Sequence, residues 1–101
     1  MAERPGGSWT LRYDARVHRQ LEKIRDKAVI RRIERAAAQL ALAPRAGKEL
    51  VGYSDLRSER VGTPSGEYRI IYKLLEEERE IFVLLVGSRE EVYGLLGRKH
   101  G

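Results

Sequence analysis

Three strand-like segments follow one another late in the chain, with only short connections between them. They cover residues 56–61, 68–74 and 81–86, and the last of the three is the most apolar. The connection at 62–66 is rich in Gly, Pro and Ser, and the connection at 76–80 is acidic. Both compositions are typical of turns. Strands joined this closely favour an antiparallel meander, in which we expect the most apolar strand to be central.

Two amphipathic helices are predicted before these strands. The first covers about 15–25, where Val17, Leu21 and Ile24 recur at helical spacing after Asp14, a suitable N-cap residue. The second follows Asp26 and is ended by Pro44. Its apolar stripe consists of Val29, Ile33, Ala37 and Leu40. Two such helices need a sheet to cover their stripes, so they are expected to pack on one of its faces.

The two ends of the chain complete the predicted fold. Trp9, Leu11 and Tyr13 alternate with polar residues and predict a first strand, whereas residues 1–8 are predicted to be a flexible lead-in to a domain over 9–101. The expected fold class is α+β, as a single small domain. It has an N-terminal strand, an antiparallel helical hairpin on one face of a mainly antiparallel four-stranded sheet, and a short C-terminal tail or helix.

The charge of the chain indicates an anionic partner. The formal net charge is +5 over 101 residues, and arginine outnumbers lysine fifteen to five. The planar guanidinium group matches the oxygens of a phosphate better than an ammonium group does. Nucleic acid is therefore favoured over a membrane, for which no apolar segment is long enough, and we expect a cytoplasmic protein.

Several chemistries are disfavoured by the residue types present. Cysteine is absent, which excludes disulfides and thiol catalysis. His18 and His100 have no acidic or Cys neighbours at the spacing of metal ligands. No metal and no cofactor are therefore expected.

Alternation along the second strand-like segment separates its side chains onto two faces. Tyr68, Ile70 and Tyr72 form the better core face, and Arg69 and Lys73 project from the opposite face, which the helices leave uncovered. The preceding strand would bring Arg60 and Ser58 to that uncovered face. The same register places Glu59 on the covered face, where it needs a partner or a bulge.

Three runs of residues resemble the RelE/ParE toxin superfamily of type II toxin–antitoxin systems. They are Arg60-Val61-Gly62, Glu67-Tyr68-Arg69-Ile70-Ile71-Tyr72 and Gly87-Ser88-Arg89-Glu90-Glu91-Val92-Tyr93. The resemblance implies a RelE-like fold and a cognate antitoxin partner. It also implies one of two activities: ribosome-dependent cleavage of messenger RNA in the A site, as in RelE-like members, or inhibition of DNA gyrase, as in ParE-like members.

The resemblance also implies roles for particular residues. The positions that match the catalytic basic cluster and C-terminal tyrosine of RNA-cleaving members are Arg60, Arg69, Arg89 and Tyr93. A further basic position falls on Ser58, so Arg57 or Lys48 would have to substitute for it. The residues expected to contact RNA are Lys48, Arg57, Ser58, Lys73, Arg31 and Arg35.

The chemistry of RNA cleavage is consistent with this set of residues. Attack by the adjacent 2′-hydroxyl needs a base, stabilisation of a phosphorane and protonation of the leaving 5′-oxygen, and it needs no metal. The arginines would neutralise the phosphorane and stabilise a phenolate of Tyr93, the candidate base, while Arg89 is the candidate at the leaving oxygen. Tyr93 could instead stack on a base or close the sheet edge. We therefore expect a ribosome-dependent endoribonuclease that inhibits translation; the alternatives are a gyrase inhibitor and a binding-only family member.

Overall fold

The structure, a computed structural model, describes residues 9–98 of the chain. The lead-in predicted for 1–8 and the histidine at 100 lie outside the described residues. In chain order the elements are β1 (Thr10–Tyr13), α1 (Ala15–Glu22), α2 (Lys27–Leu40), β2 (Lys48–Glu49), β3 (Leu56–Thr63), β4 (Gly66–Leu75), β5 (Glu80–Ser88) and α3 (Arg89–Arg98).

Both predicted helices begin at the predicted caps. A carboxylate oxygen of Asp14 accepts the backbone N–H of Arg16 at 3.0 Å, and one of Asp26 accepts that of Ala28 at 2.9 Å. Each cap satisfies an N–H group that the first helical turn would otherwise leave without a partner. The apolar stripes of α1 and α2 are buried on the same face of the sheet, as predicted.

The sheet has five strands in the order β1-β5-β4-β3-β2, with β1 parallel to β5 and every other pair antiparallel. The predicted α+β class is confirmed, but the predicted count of four strands is wrong. The additional strand is β2, which has two residues and therefore too few to show alternation in the sequence. The middle strand is β4 rather than the more apolar β5, which lies between β1 and β4.

The two faces of the sheet carry separate apolar clusters. The helix-covered face, which includes Ile70 and Tyr72, packs under α1 and α2. The second face, which includes Arg69, Ile71 and Lys73, is not uncovered along its whole length. Val92 and Leu96 of α3 bury Ile71 and Leu85 there. The predicted open face is therefore reduced to the end where β3, β4 and the start of α3 meet.

The second face of the sheet is shaped in part by a register shift. This shift, in the pairing of β4 with β5, lets Leu84 and Leu85 both contribute to the cluster under α3.

Glu59 lies on the helix-covered side, where it lines a groove with Arg32 and Arg35 of α2. Burial raises the pKa of Glu59, and the charge of Arg69 partly opposes this shift. Glu59 therefore lies on the covered face, as predicted, and basic residues of α2 line the same groove.

The hydroxyl of Tyr72 connects the core to the loop that leads into β2. Tyr72 is fully buried, and its hydroxyl donates to the carbonyl of Pro44 at 2.8 Å and accepts the N–H of Gly47 at 2.9 Å. A side chain at Gly47 would collide with the Tyr72 ring, because a Cβ built there would lie 2.6 Å from the hydroxyl oxygen. The pair therefore fixes the path by which Lys48 reaches the sheet.

Replacing Tyr72 with Phe should lower the free energy of unfolding by about 1–3 kcal/mol, because it leaves two loop backbone groups without their partner. Urea titration followed by circular dichroism measures this difference. Tyr68→Phe is the matched control, since the Tyr68 phenol makes no hydrogen bond to the residues that the structure describes. Equal stability of the two variants would contradict the assigned role of the Tyr72 hydroxyl.

Candidate active site

Three arginines converge on the carboxylate of Glu67 at the exposed end of the second face. Glu67 accepts hydrogen bonds from Nε of Arg60 at 3.0 Å and from Nε of Arg69 at 2.7 Å, and Nη2 of Arg69 lies 2.6 Å from the same carboxylate. Nε of Arg89 lies 3.8 Å from the same carboxylate. We refer to Arg60, Arg69 and Arg89 as the arginine cluster. Guanidinium groups gathered around one point form a site for an anion.

The register of the sheet explains why these residues meet. Arg60 of β3 pairs directly with Arg69 of β4, so both side chains project from the second face. Glu67 precedes Arg69 by two residues and therefore shares that face. Tyr68 pairs with Ser88 at the end of β5, which places the next residue, Arg89, beside them.

A capping box holds the start of α3 in this position. The Ser88 hydroxyl accepts the N–H of Glu91 at 3.2 Å, and the Glu91 carboxylate accepts the N–H of Ser88 at 3.0 Å. Gly87 has no side chain to obstruct this arrangement, and a Cβ there would lie 3.1 Å from the Glu91 carboxylate. The direction in which Arg89 and Tyr93 leave the sheet is thus set by two reciprocal hydrogen bonds.

Tyr93 is linked to the arginine cluster through Ser58. Its hydroxyl lies 3.2 Å from Oγ of Ser58, which also accepts from Nη1 of Arg69 at 3.4 Å. The Arg89 guanidinium lies 5.6 Å from the centre of the Tyr93 ring. The structure therefore brings together the four residues of the predicted catalytic set, with a phenol hydroxyl at the edge of an anion site.

Ser58 is almost fully buried, at 3% exposure, so it contacts Tyr93 and Arg69 rather than solvent. Lys48 pairs with Ser58 in the sheet and shares its face, so it lies where it can supply a positive charge beside the site. Arg57 projects from the opposite face and donates to the carbonyl of Gly47 at 2.8 Å and to that of Arg45 at 3.2 Å. The expectation that Arg57 could substitute at the site is therefore wrong, because the strand alternation directs it away.

The remaining predicted RNA contacts lie further from the arginine cluster. Lys73 is on the second face, but Ile71 and the apolar cluster under α3 separate it from Arg69. Arg31 and Arg35 belong to the exposed side of α2, on the other side of the sheet. Arg35 nevertheless lines a groove of about 250 Å³ that also includes Arg60, so this groove joins α2 to the edge of the site.

Glu67 is the member of the site that sequence reasoning missed. Although partial desolvation raises it, the hydrogen bonds and charges of Arg69 and Arg60 together hold the pKa of Glu67 below its usual range. The signal that could have identified it is the alternation itself, because residue 67 must share a face with Arg69. A carboxylate at the centre of a basic cluster changes what that cluster can bind.

Within residues 9–98, no three acidic or histidine side chains are grouped so that they could hold a metal ion. In the same part of the chain, no helix combines the length and the apolar character needed to cross a bilayer.

Solved structures with the same fold include several RelE toxins. A double-arginine mutant of E. coli RelE in the free state is 27% identical with a TM-score of 0.71, over 86% of this chain and 92% of that one. The RelBE2 toxin–antitoxin complex from Mycobacterium tuberculosis is 28% identical with a TM-score of 0.68, over 81% and 99%. The intact RelBE complex of E. coli is 25% identical with a TM-score of 0.67, over 80% and 96%.

These likenesses place the chain in the class of small toxins from type II toxin–antitoxin systems. The model of the ParE toxin family of type II toxin–antitoxin systems, parDE, matches residues 11–93. The chain belongs to this family, within the RelE/ParE superfamily that its sequence resembles. The search of curated proteins finds no match.

The lowered pKa of Glu67 predicts how its contribution to stability depends on pH. A carboxyl whose pKa is lower in the folded protein stabilises the fold above the ordinary pKa of about 4.3, and this stabilisation is lost as the pH falls through the lower, folded value. The difference in unfolding free energy between wild type and Glu67→Gln should therefore be small but positive at neutral pH, and should disappear in acid. Urea titrations at both pH values measure it; a difference that does not change with pH would contradict the assigned ion pairs.

Proposed function

We propose that this chain is a RelE-like toxin that cleaves translated messenger RNA in the ribosomal A site and thereby inhibits translation. The observation that carries the proposal is the convergence of Arg60, Arg69 and Arg89 beside the Tyr93 hydroxyl. A gyrase inhibitor that cuts nothing has no need for arginines focused on one point next to a phenol. The likeness to RelE structures over most of both chains supports the same choice.

In the proposed reaction the 2′-oxygen of one nucleotide bonds to the adjacent phosphorus, and the 5′-oxygen of the next nucleotide leaves. The products are a 2′,3′-cyclic phosphate and a 5′-hydroxyl. The phenolate oxygen of Tyr93 accepts the proton of the 2′-hydroxyl, and the arginine cluster neutralises the phosphorane. Arg89, which is 62% exposed, stabilises the negative charge on the leaving 5′-oxygen, and this oxygen takes its proton from a water molecule.

Ser58 supports the role of Tyr93 as the base. Since Oγ of Ser58 accepts from Arg69, its own proton is free to point at the Tyr93 oxygen. That hydrogen bond holds the phenol oxygen in place, and the guanidinium of Arg89 lies beside the Tyr93 ring. Ser58, which stands where the resemblance expects a basic residue, therefore connects Arg69 to Tyr93 through its hydroxyl.

The proposed partners are the ribosome with its messenger RNA and a cognate antitoxin. RelE-type relatives from E. coli and M. tuberculosis were solved as toxin–antitoxin complexes. Their likeness to this chain supports a partner of the same kind. We also propose that residues 9–101 form the toxin domain and that the protein acts in the cytoplasm, where translation takes place.

The proposed activity predicts cuts in a translated transcript only when ribosomes are present. Primer extension in a purified translation system should show these cuts for the wild type. The double variant Arg89→Ala/Tyr93→Phe should cut at least roughly 100-fold more slowly, because it removes the base and a positive charge that stabilises the transition state. Arg12→Ala is the control, since Arg12 pairs with Glu80 at the far end of β5. Transcripts equally intact with wild type and double variant would overturn the enzymatic proposal.

The second candidate function is inhibition of DNA gyrase. It is favoured by the ParE description of the matching family and by the buried serine at the position where the resemblance expects a basic residue. A supercoiling assay with purified gyrase separates the two functions. Cuts in messenger RNA with normal supercoiling support the interferase; blocked supercoiling with intact transcripts supports the gyrase inhibitor. Absence of both effects would leave a family member that only binds its partner.

A further inference from the structure

The arginine cluster already surrounds an anionic group of the protein itself, the carboxylate of Glu67. Both carboxylate oxygens of Glu67 are engaged, one by Arg60 at 3.0 Å and the other by Arg69 at 2.7 and 2.6 Å. Arg89 completes the ring at 3.8 Å. A phosphate bound by the same three guanidinium groups would occupy the same space.

We propose that Glu67 is an internal substitute for the RNA phosphate: it fills the arginine cluster in the free protein and must swing out before a phosphodiester can bind. The inference rests on the proposed function, because it takes the arginine cluster as the phosphate site. It adds a regulatory contact to that site. Glu67 acts through the arginines and touches no reacting atom.

Arg69 is the least exposed member of the arginine cluster, and its donors are already engaged. Its Nε and Nη2 atoms are directed at Glu67, its Nη1 atom at Ser58, and its side chain is only 17% exposed. Arg60 and Arg89, in contrast, are 67% and 62% exposed. Arg69 can therefore turn its donors to a phosphate only after Glu67 has left.

The surroundings of Glu67 allow this movement. Its partner across the strand pair is Gly62, where no atom lies within 4 Å of the position that a Cβ would take. The next residue towards the turn is Gly66, which has the same free space. A change of the Glu67 rotamer can therefore carry the carboxylate over Gly62 into solvent without moving the backbone.

Repulsion between negative charges favours departure of the carboxylate when a phosphodiester binds. A carboxylate that remained within a few ångströms of a bound phosphodiester would repel it, and the repulsion would grow as the phosphorane gains charge. Partly exposed ion pairs such as those of Glu67 are weak enough to be exchanged for others. A free anion must compete with a tethered one, whereas a strand already held by the ribosome competes at high effective concentration. Glu67 thus selects against loose RNA.

The test measures anion binding and not cleavage. ¹⁵N-labelled protein is titrated with inorganic phosphate, and in parallel with a short single-stranded RNA that is 2′-O-methylated at every ribose, while the side-chain Nε–H signals of the arginines are followed by NMR. Glu67→Gln should bind both probes roughly tenfold more tightly than the wild type, since one neighbouring negative charge has been removed. In the wild type, the Arg69 signal should move with saturation, which reports the loss of its bond to Glu67.

Glu80→Gln is the matched control. Glu80 is 25% exposed against 26% for Glu67, it also pairs with an arginine, and it lies at the opposite end of β5, so the two variants change the net charge equally. It should bind the probes with an affinity within twofold of the wild type. Glu67→Ala, which removes the carboxylate without adding an amide, should reproduce the gain if Glu67→Gln is unstable.

Three results would overturn the proposal. Weaker binding by both Glu67 variants would mean that the carboxylate orients the arginines for the ligand. Equal gains for Glu67→Gln and Glu80→Gln would mean that only net charge matters, and no binding by any of the proteins would mean that the cluster is not an anion site. A chain that binds anions as proposed but cuts no messenger RNA would leave the role of Glu67 intact and refute only the proposed reaction.

Discussion

The pairing of Arg60 with Arg69 is the constraint on which the site depends. Two like charges directly opposite each other in an antiparallel pair destabilise a sheet, so a register that brings them together needs compensation. Glu67 supplies it by binding both guanidinium groups from the adjoining position on the same face. The register, the charge balance and the site therefore depend on one another. If the pairing slipped by a single residue, the arginines would turn to the helix-covered face and be buried in the core.

Much of this arrangement follows from the sequence because β4 is long enough to show its alternation. The period of two placed Arg69 and Tyr72 on opposite faces, and the capping residues Asp14 and Asp26 marked both helix starts. Two features of the fold could not be predicted from the sequence, and each has a physical reason. β2 has only two residues and pairs through its backbone, which leaves no pattern of side chains. The burial of Ile71 under α3 depends on contacts between distant segments, which no local period encodes.

Four members of the site could be predicted, but Glu67 and the contacts between the side chains could not. The resemblance pointed to Arg60, Arg69, Arg89 and Tyr93, and these residues do meet. That Ser58 joins Tyr93 to Arg69 depends on side-chain distances of 3.2 and 3.4 Å, which the sequence does not contain. The residue type of Ser58 indicates only a missing charge. In the structure its buried hydroxyl lies between Tyr93 and Arg69, and this placement depends on the fold rather than on the residue type.

The charge of the site suits the proposed catalysis better than simple docking to nucleic acid. Surfaces that only follow a backbone spread their basic residues along a groove, with one residue for each phosphate. Here three guanidinium groups are aimed at one carboxylate, which leaves a local surplus of two positive charges while Glu67 is in place. One phosphodiester carries a single charge, and only its phosphorane carries more. In the proposed reaction, a cluster with three positive charges at one point, once Glu67 has moved away, would match the transition state better than the bound strand, and such a preference is what accelerates a reaction.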